Sequence, residues 1–459
     1  MSNKLNIDLL NRDSLVNLGI KLKIYGYTNS FNSPYLKKDE LKSRVLKFFK
    51  DHKKKMRSKS LSSNSNVSNN SMSRSQSLPN LNIFSSNNSS NNSNNNSSNN
   101  SSNNSSNNSS NDIFNVGCVF PKVNKLVAIG DIHGDLSVAI KSLKLAGVIS
   151  MNLDDNLKDI SKINWTGGNT YVVQLGDQID RVRPETYFNN LCVEENNIVE
   201  DEGSDLKIIY LFERLHTQAL KNGGALISIL GNHELMNVDK DFRYVSPKEF
   251  REFGNYFKGD LEFNSNLPYG YKERLAAFKP GGILSKRLAL TRFSIVQVGS
   301  WIFVHGGLTP QCANDYSLDD INYHVRKWLY GDESYGTMQH INKLYHNDDD
   351  EYSPFWSRTF SDMEEWSDDR CLNEFKKTLH YVNIKNSRQN NNIIKGMVMG
   401  HSPQFMYNKS INSSANNRLW RVDVGASRAF GEIDDNNRLV QVLVINNDND
   451  FSILREKRN

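Results

Sequence analysis

Five times along this chain a short apolar run meets a glycine-marked turn, and each time the residues at that turn are types that bind cations. Lys125–Ile129 leads into Gly130-Asp131-Ile132-His133-Gly134-Asp135, and Thr170–Leu175 into Gly176-Asp177-Gln178-Ile179-Asp180-Arg181. Ala225–Leu230 leads into Gly231-Asn232-His233-Glu234, Trp301–Val304 into His305-Gly306-Gly307, and Lys395–Met399 into Gly400-His401. A lone histidine beside a strand is ordinarily a satisfied core or surface group. Packing has no need of Asp, His and Asn at loop tip after loop tip. Val/Ile/Leu-rich strands alternate with helical patterns such as Asp205–Lys221, with Ile208, Leu211, Phe212 and Leu215 on one face. That alternation predicts an α/β protein, and strand-end loops are where such folds place their chemistry.

The residue types narrow the chemistry. An Asp and a His two residues apart, as in Asp131 and His133, can aim at one metal, and the flanking glycines let backbone approach closely. Mixed carboxylate, imidazole and amide-oxygen donors suit Mn, Fe or Zn rather than thiolate-bound metal. Two adjacent divalent ions can clamp the attacking and leaving oxygens of a displacement at phosphorus. A bridging carboxylate would hold both, and a hydroxide shared between them would attack, its pKa lowered by the cations. The leaving oxygen needs a proton from a histidine that is not a ligand, and the phosphoryl oxygens need a cation.

Together these blocks resemble the calcineurin-like metallophosphoesterase superfamily and, within it, the phosphoprotein phosphatases. The resemblance spans roughly residues 125–430. Gly-Asp-x-His-Gly-Asp, Gly-Asp-x-x-Asp-Arg, Gly-Asn-His-Glu and His-Gly-Gly-Leu-Thr-Pro form a specific set. Leu230–Asn237, Arg243-Tyr244-Val245, Gly281–Leu284, Phe355–Arg358, Gly400–Gln404 and Asp423-Val424-Gly425 are similar to the Shewanella-like branch. The resemblance implies a central β-sandwich flanked by helices, with a dimetal site at strand C-terminal ends. It implies Asp131 and His133 on the first metal, Asp177 bridging, and Asn232, His305 and His401 on the second. His233 would be the general acid, oriented by Asp180; Arg181 would hold the phosphate, with help from Arg358. Two arginines suit a tetrahedral dianion, because a guanidinium grips phosphate with two parallel hydrogen bonds.

Some positions depart from the pattern. Val182 stands where eukaryotic relatives usually have Gly after Asp-Arg, and Trp356-Ser357-Arg358-Thr359 replaces their Trp-Ser-Asp-Pro. The Ser-Ala-Pro-Asn-Tyr loop has no counterpart. All three point away from the eukaryotic Ser/Thr enzymes. Lys240-Asp241 stands where the Shewanella-like pattern leads one to expect Gly-Asp, which puts the geometry of that turn in question.

Composition divides the rest. Residues 1–60 carry 15 basic and 5 acidic side chains, while 112–459 carry 40 basic and 46 acidic. Residues 85–111 are Ser and Asn throughout, a composition with nothing to bury. The expected organisation is a basic, partly helical segment at 1–57, a Ser/Asn-rich disordered linker at 58–111 and a catalytic domain at 112–459. Ser33-Pro34 followed by Leu41, Val45, Phe48 and Phe49 among Lys and Arg reads as an amphipathic helix, for a membrane surface or partner or docked on the body. No run approaches the length of a membrane span, and the first residues lack the apolar core of a signal peptide. Cys118, Cys192, Cys312 and Cys371 are scattered, as in a reducing compartment. These features predict an intracellular protein, cytoplasmic, with the basic run Lys53–Arg57 raising a nuclear alternative. The sequence does not address oligomeric state.

The sequence therefore predicts a phosphomonoester hydrolase using two divalent metals (Mn, Fe or Zn), acting on phosphorylated protein at Ser/Thr or Tyr. Its rivals are the same chemistry on small phosphate esters such as dinucleoside polyphosphates, and a catalytically dead scaffold. Every expected ligand is present, which weighs against the scaffold. Nucleic-acid binding is not expected of the acidic catalytic body. Asp348–Glu351 lacks the spaced ligand pattern of a calcium loop.

Overall fold

The computed structural model describes residues 113–457 except 185–186, 189, 193–199, 259–266, 348–349, 362–367, 387–392 and 434. The basic segment, the Ser/Asn linker and their boundaries at 57 and 111 lie outside the described residues, as do Asp348 and Asp349.

Two six-stranded sheets form the body. One runs β14 (Asp450–Arg455), β13 (Gln441–Asn446), β2 (Lys125–Ile129), β3 (Tyr171–Gln174), β6 (Ala225–Ile229), β7 (Arg292–Phe293). The other runs β1 (Val119–Phe120), β8 (Ile295–Val298), β9 (Trp301–Val304), β10 (Gly396–Met399), β12 (Leu419–Arg421), β11 (Asn412–Ser414). A small hairpin pairs β4 (Tyr187–Phe188) with β5 (Leu191–Cys192). β2, β3, β6 and β7 are parallel, as are β9, β10 and β12. Their apolar runs are continuous rather than alternating because both faces are covered. Val127, Ile129, Val173 and Ile227 of one sheet share a single buried core with Ile302, Val304, Met397 and Val398 of the other.

Each strand expected from sequence before a motif is present, with ends shifted by no more than one residue: β2, β3, β6, β9 and β10. Because these strands run parallel within each sheet, their C-terminal ends fall together, and the five polar loops with them.

Helices flank the sheets. α1 (Leu136–Leu145) follows the first loop, and its cap Asp135 accepts the Val138 N–H at 3.3 Å. α2 (Asp205–Leu220) buries the expected face of Ile208, Leu211, Phe212 and Leu215. α3 (Asn232–Val238) starts at the third loop. α4 (Pro247–Phe257) opens with a reciprocal cap, in which Ser246 and Glu249 each accept the other's backbone N–H. α5 (Tyr271–Phe278) packs against α4 and carries Arg274 into the interior. After α3 the chain turns through Lys240 at φ 67°, the left-handed conformation that the expected glycine would take without a Cβ penalty.

Cys118, Cys312 and Cys371 are buried and Cys192 is half-buried. Burial pushes the Cys312 thiol up to about 12 and the Cys118 thiol well above its ordinary value, which keeps both protonated. Among the described residues no helix is long and apolar enough to cross a membrane.

Candidate active site

The five loops meet around Asp177. Its Oδ2 lies 3.8 Å from His133 Nε2, 3.8 Å from His233 Nε2 and 3.3 Å from His305 Nε2. Asp131 Oδ2 stands 3.8 Å from His133 Nε2 on one side. On the other, Asn232 Oδ1 is 2.9 Å from both His305 Nε2 and His401 Nδ1. Two ligand groups result, His133/Asp177/His233 and Asp177/His305/His401, with donor atoms within 4.8 Å of one another in each. Asp177 belongs to both.

The backbone works against its ordinary preferences to build this arrangement. His133, Asp177, Asp180 and His401 all have positive φ, at 47°, 49°, 74° and 69°. Each such residue costs on the order of 1–3 kcal/mol and persists only where its surroundings over-determine it. Close approach does the rest. A Cβ on Gly231 would sit 2.1 Å from Asp177 Oδ1, and one on Gly400 would sit 2.4 Å from Asp131 Oδ1. Those two glycines are needed for the carboxylates to lie where they do.

Hydrogen bonds set the histidine faces. His305 Nδ1 is 2.7 Å from the Leu175 carbonyl, so Nδ1–H donates there and Nε2 presents its lone pair to Asp177 and Asn232. His401 is turned the other way: Nε2 donates to the Trp356 carbonyl at 3.1 Å, leaving Nδ1 inward. His233 presents Nδ1 to Asp180 Oδ2 at 2.8 Å, and its Nε2 faces the Asp177 side. The His401 N–H donates to Asp131, and the His233 N–H to Asp177 Oδ1 at 3.0 Å.

The electrostatics ask for cations. Burial, then the neighbouring Asp423 and Asp177 charges, push the Asp131 carboxyl well above the usual carboxylate range. Burial raises Asp423 to about 6 and Glu234 to about 7. Burial also opposes the charge on Asp177, but His305 and His233 outweigh it and hold its carboxyl well below the usual range. Burial and the Arg183 charge push His133 well below its ordinary value. Carboxylates gathered out of water are costly unless a positive ion joins them. Asp423 Oδ2, buried beside them, has no hydrogen-bond partner among the described residues. The donor set therefore fits divalent metal.

The remaining expected residues fall as follows. Arg358 is exposed, with Nη1 3.0 Å from Ser402 Oγ, and its charge is felt at His401. Arg181 is buried, Nη2 lying 3.6 Å from Asp135 Oδ2. The guanidinium that reaches His133 and His233 is that of Arg183, two residues on.

Sequence reasoning missed four residues besides Arg183. Glu234 ties two loops together: its carboxylate accepts the N–H groups of Gly231, Asp177 and Gln178 at 2.7, 3.0 and 2.7 Å. Asn237 and Arg274 hold Asp180, and Asp423 joins the acidic group. Glu234, Asn237 and Asp423 lay inside noted motifs and had no role there; Arg274 had no local signal at all.

A family model described as calcineurin-like phosphoesterase matches residues 125–409. Shewanella-like protein phosphatase 2 of Arabidopsis thaliana is 32% identical over 364 residues, covering 73% of this chain and 78% of that protein. An uncharacterized protein of Acanthamoeba polyphaga mimivirus is 34% identical over 267 residues, covering 54% of this chain and 99% of the viral protein. Among solved structures, a cold-active protein-tyrosine phosphatase of a Shewanella species aligns with TM-score 0.47 at 19% identity, over 75% of this chain and 84% of that one.

Proposed function

Because the chain belongs to the calcineurin-like phosphoesterase family and is a phosphatase related to the Shewanella-like enzymes, we propose that its substrates are phosphorylated proteins and that it works with two divalent ions. The observation that carries this reading is the position of Asp177, common to two ligand groups and flanked by imidazoles on both sides. Asp131 and His133 would hold one ion, Asn232, His305 and His401 the other, and Asp177 both. Mn, Fe and Zn all suit these donors. When bound, such ions polarise phosphoryl oxygens and lower the pKa of water.

The chain's own residues supply the rest. His233 delivers a proton from Nε2 to the leaving oxygen, and Asp180 at Nδ1 fixes its tautomer and stabilises the imidazolium. Arg358 stands at the solvent side of His401, where an arriving phosphate would meet it. The small-phosphate reading is not favoured, since the Arabidopsis relative is named as a protein phosphatase.

The test is a panel with added Mn: phosphotyrosine, phosphoserine and phosphothreonine peptides beside diadenosine polyphosphate. The reading expects turnover of at least one phosphopeptide, lost in Asp177→Ala and Asn232→Ala. Hydrolysis of the dinucleotide alone would move the substrate to small molecules. Wild-type rates in both variants would remove the mechanism.

A further inference from the structure

The resemblance to the phosphoprotein phosphatases gives the phosphate to Arg181, and the packing of Arg181 argues against it. Its side chain is fully buried beside Asp135, itself buried. Asp135 also takes Nε and Nη2 of Arg428 at 2.9 and 2.8 Å. The Arg181 backbone N–H donates to Glu249 at 3.1 Å. An arginine engaged in this way is part of the interior, whereas a substrate phosphate arrives from water.

Arg183 has the opposite setting. It is half-buried and lies at the histidine pair. Its Cζ sits 4.7 Å from the Phe430 ring centre and 5.2 Å from that of Tyr244, so two aromatic faces restrain the guanidinium plane. Nη1 is spent on the carbonyls of Asp180 and Val182 at 3.2 and 2.8 Å. Nη2 is left facing the site, 2.8 Å from both ring nitrogens of His133 and 3.5 Å from His233 Nε2. His233 Nε2 is the nitrogen that Asp180 does not hold, and so the one that can meet a leaving oxygen. A donor beside it is a donor beside the transferring phosphoryl group.

We propose that Arg183, rather than Arg181, is the arginine of this segment that grips the substrate's phosphoryl oxygens. The inference rests on the phosphatase reading, and Arg183 follows Val182, which stands where eukaryotic relatives usually have Gly.

The experiment uses the Mn-loaded full chain and tungstate, a tetrahedral oxyanion that cannot be turned over. Wild type, Arg183→Ala, Arg183→Lys and Arg181→Lys are compared for tungstate affinity by calorimetry, for KM and kcat on p-nitrophenyl phosphate, and for Mn content by elemental analysis. Loss of a charge-assisted contact predicts tungstate binding weaker by about 10- to 100-fold in Arg183→Ala. Arg183→Lys should recover only part of that, because lysine keeps the charge and loses the fork. Mn content should be unchanged in both. Arg181→Lys should keep tungstate affinity in its folded fraction. Wild-type tungstate affinity in Arg183→Ala, or a loss confined to Arg181→Lys, would overturn the assignment. Should wild type hydrolyse nothing yet bind tungstate in an Arg183-dependent way, the phosphatase reading falls and this one stands.

Discussion

Asp180 Oδ2 lies 2.8 Å from Nδ1 of His233, and the same carboxylate is held by two further groups. Asn237 Nδ2 donates to its oxygens at 2.9 and 3.1 Å, and Arg274 Nη2 reaches Oδ1 at 3.1 Å. Arg274 Nε in turn donates to Asn237 Oδ1 at 2.7 Å. The carboxylate is fixed from three directions, so the imidazole it orients has one orientation and one tautomer. A group placed in that manner presents only its Nε2 to a reacting partner.

Asp180→Asn removes the negative charge opposite the imidazolium while keeping the size. Its cost should depend on how much the leaving group needs the proton. For alkyl phosphates, whose alkoxides are poor leaving groups, kcat should fall by about 10²- to 10⁴-fold, the usual range for general acid–base catalysis. For p-nitrophenyl phosphate the loss should be much smaller, and KM should change little. A plot of log kcat against leaving-group pKa decides: a steeper slope in the variant supports the proton-transfer role, and parallel lines dismiss it.

Behind this pair lies an ion cluster that carries stability. Arg274 is fully buried, with Nη2 2.8 Å from Asp205 Oδ2 and the phenyl rings of Phe253 and Phe278 at 4.7 and 5.1 Å. Burial and the Asp205 charge push the Glu249 carboxyl well above its ordinary range. Arg274→Met should destabilise the fold by about 3–5 kcal/mol, because it leaves buried carboxylates without their cation. Urea unfolding with an unchanged m-value and a lowered midpoint is the expected result; a midpoint within experimental error of wild type would contradict it.

How far these residues were legible in the sequence follows from how local their signals are. The motif strands announce themselves as apolar runs, and the loop residues as polar types at a glycine. Parallel pairing within each sheet then puts those loops at one end of it. That Asp131, His133, Asp177, Asn232, His305 and His401 lie in one cluster was readable for that reason. Arg274 was not: it sits in an ordinary helix, and only the packing of α5 against α3 and α4 turns it inward. Arg183 was missed for a different reason. A motif fixes which arginine is counted, while packing after Asp180 decides which guanidinium lies at the histidines, and there it is that of Arg183. Lys240 marks the reverse case, in which the residue type departs from expectation and the left-handed backbone is kept regardless.

The acidic character of the site makes metal a structural component as well as a reagent. Ions that bind only the native state stabilise it by mass action, by about 2.7 kcal/mol at a free concentration 100 times Kd. Added Mn should therefore raise Tm, and a chelator should reverse the rise. Asp177→Ala should abolish the Mn-dependent increment, since both ligand groups lose their common member. Scanning calorimetry with and without chelator checks this, and an undiminished increment in Asp177→Ala would remove Asp177 from the metal-binding role.

His216, remote from these ligands, gives the fold a pH dependence of its own. It is 4% exposed, between Phe212, Glu213, Leu226 and Arg292. Burial lowers its pKa to about 4, with Arg292 adding to the fall and a backbone contact at Leu226 opposing it. The sign follows from which state binds the proton. Below about 6.5 the unfolded chain protonates this histidine while the folded chain does not, so acidification favours unfolding until the pH reaches about 4. Between pH 7 and pH 5 the contribution amounts to about 2 kcal/mol of lost stability. In His216→Phe that increment has no source, so its stability should fall by about 2 kcal/mol less than wild type across the same interval. Paired denaturant titrations at pH 7 and pH 5 measure the difference directly. Equal losses in the two proteins would show that His216 titrates in the fold as it does in water.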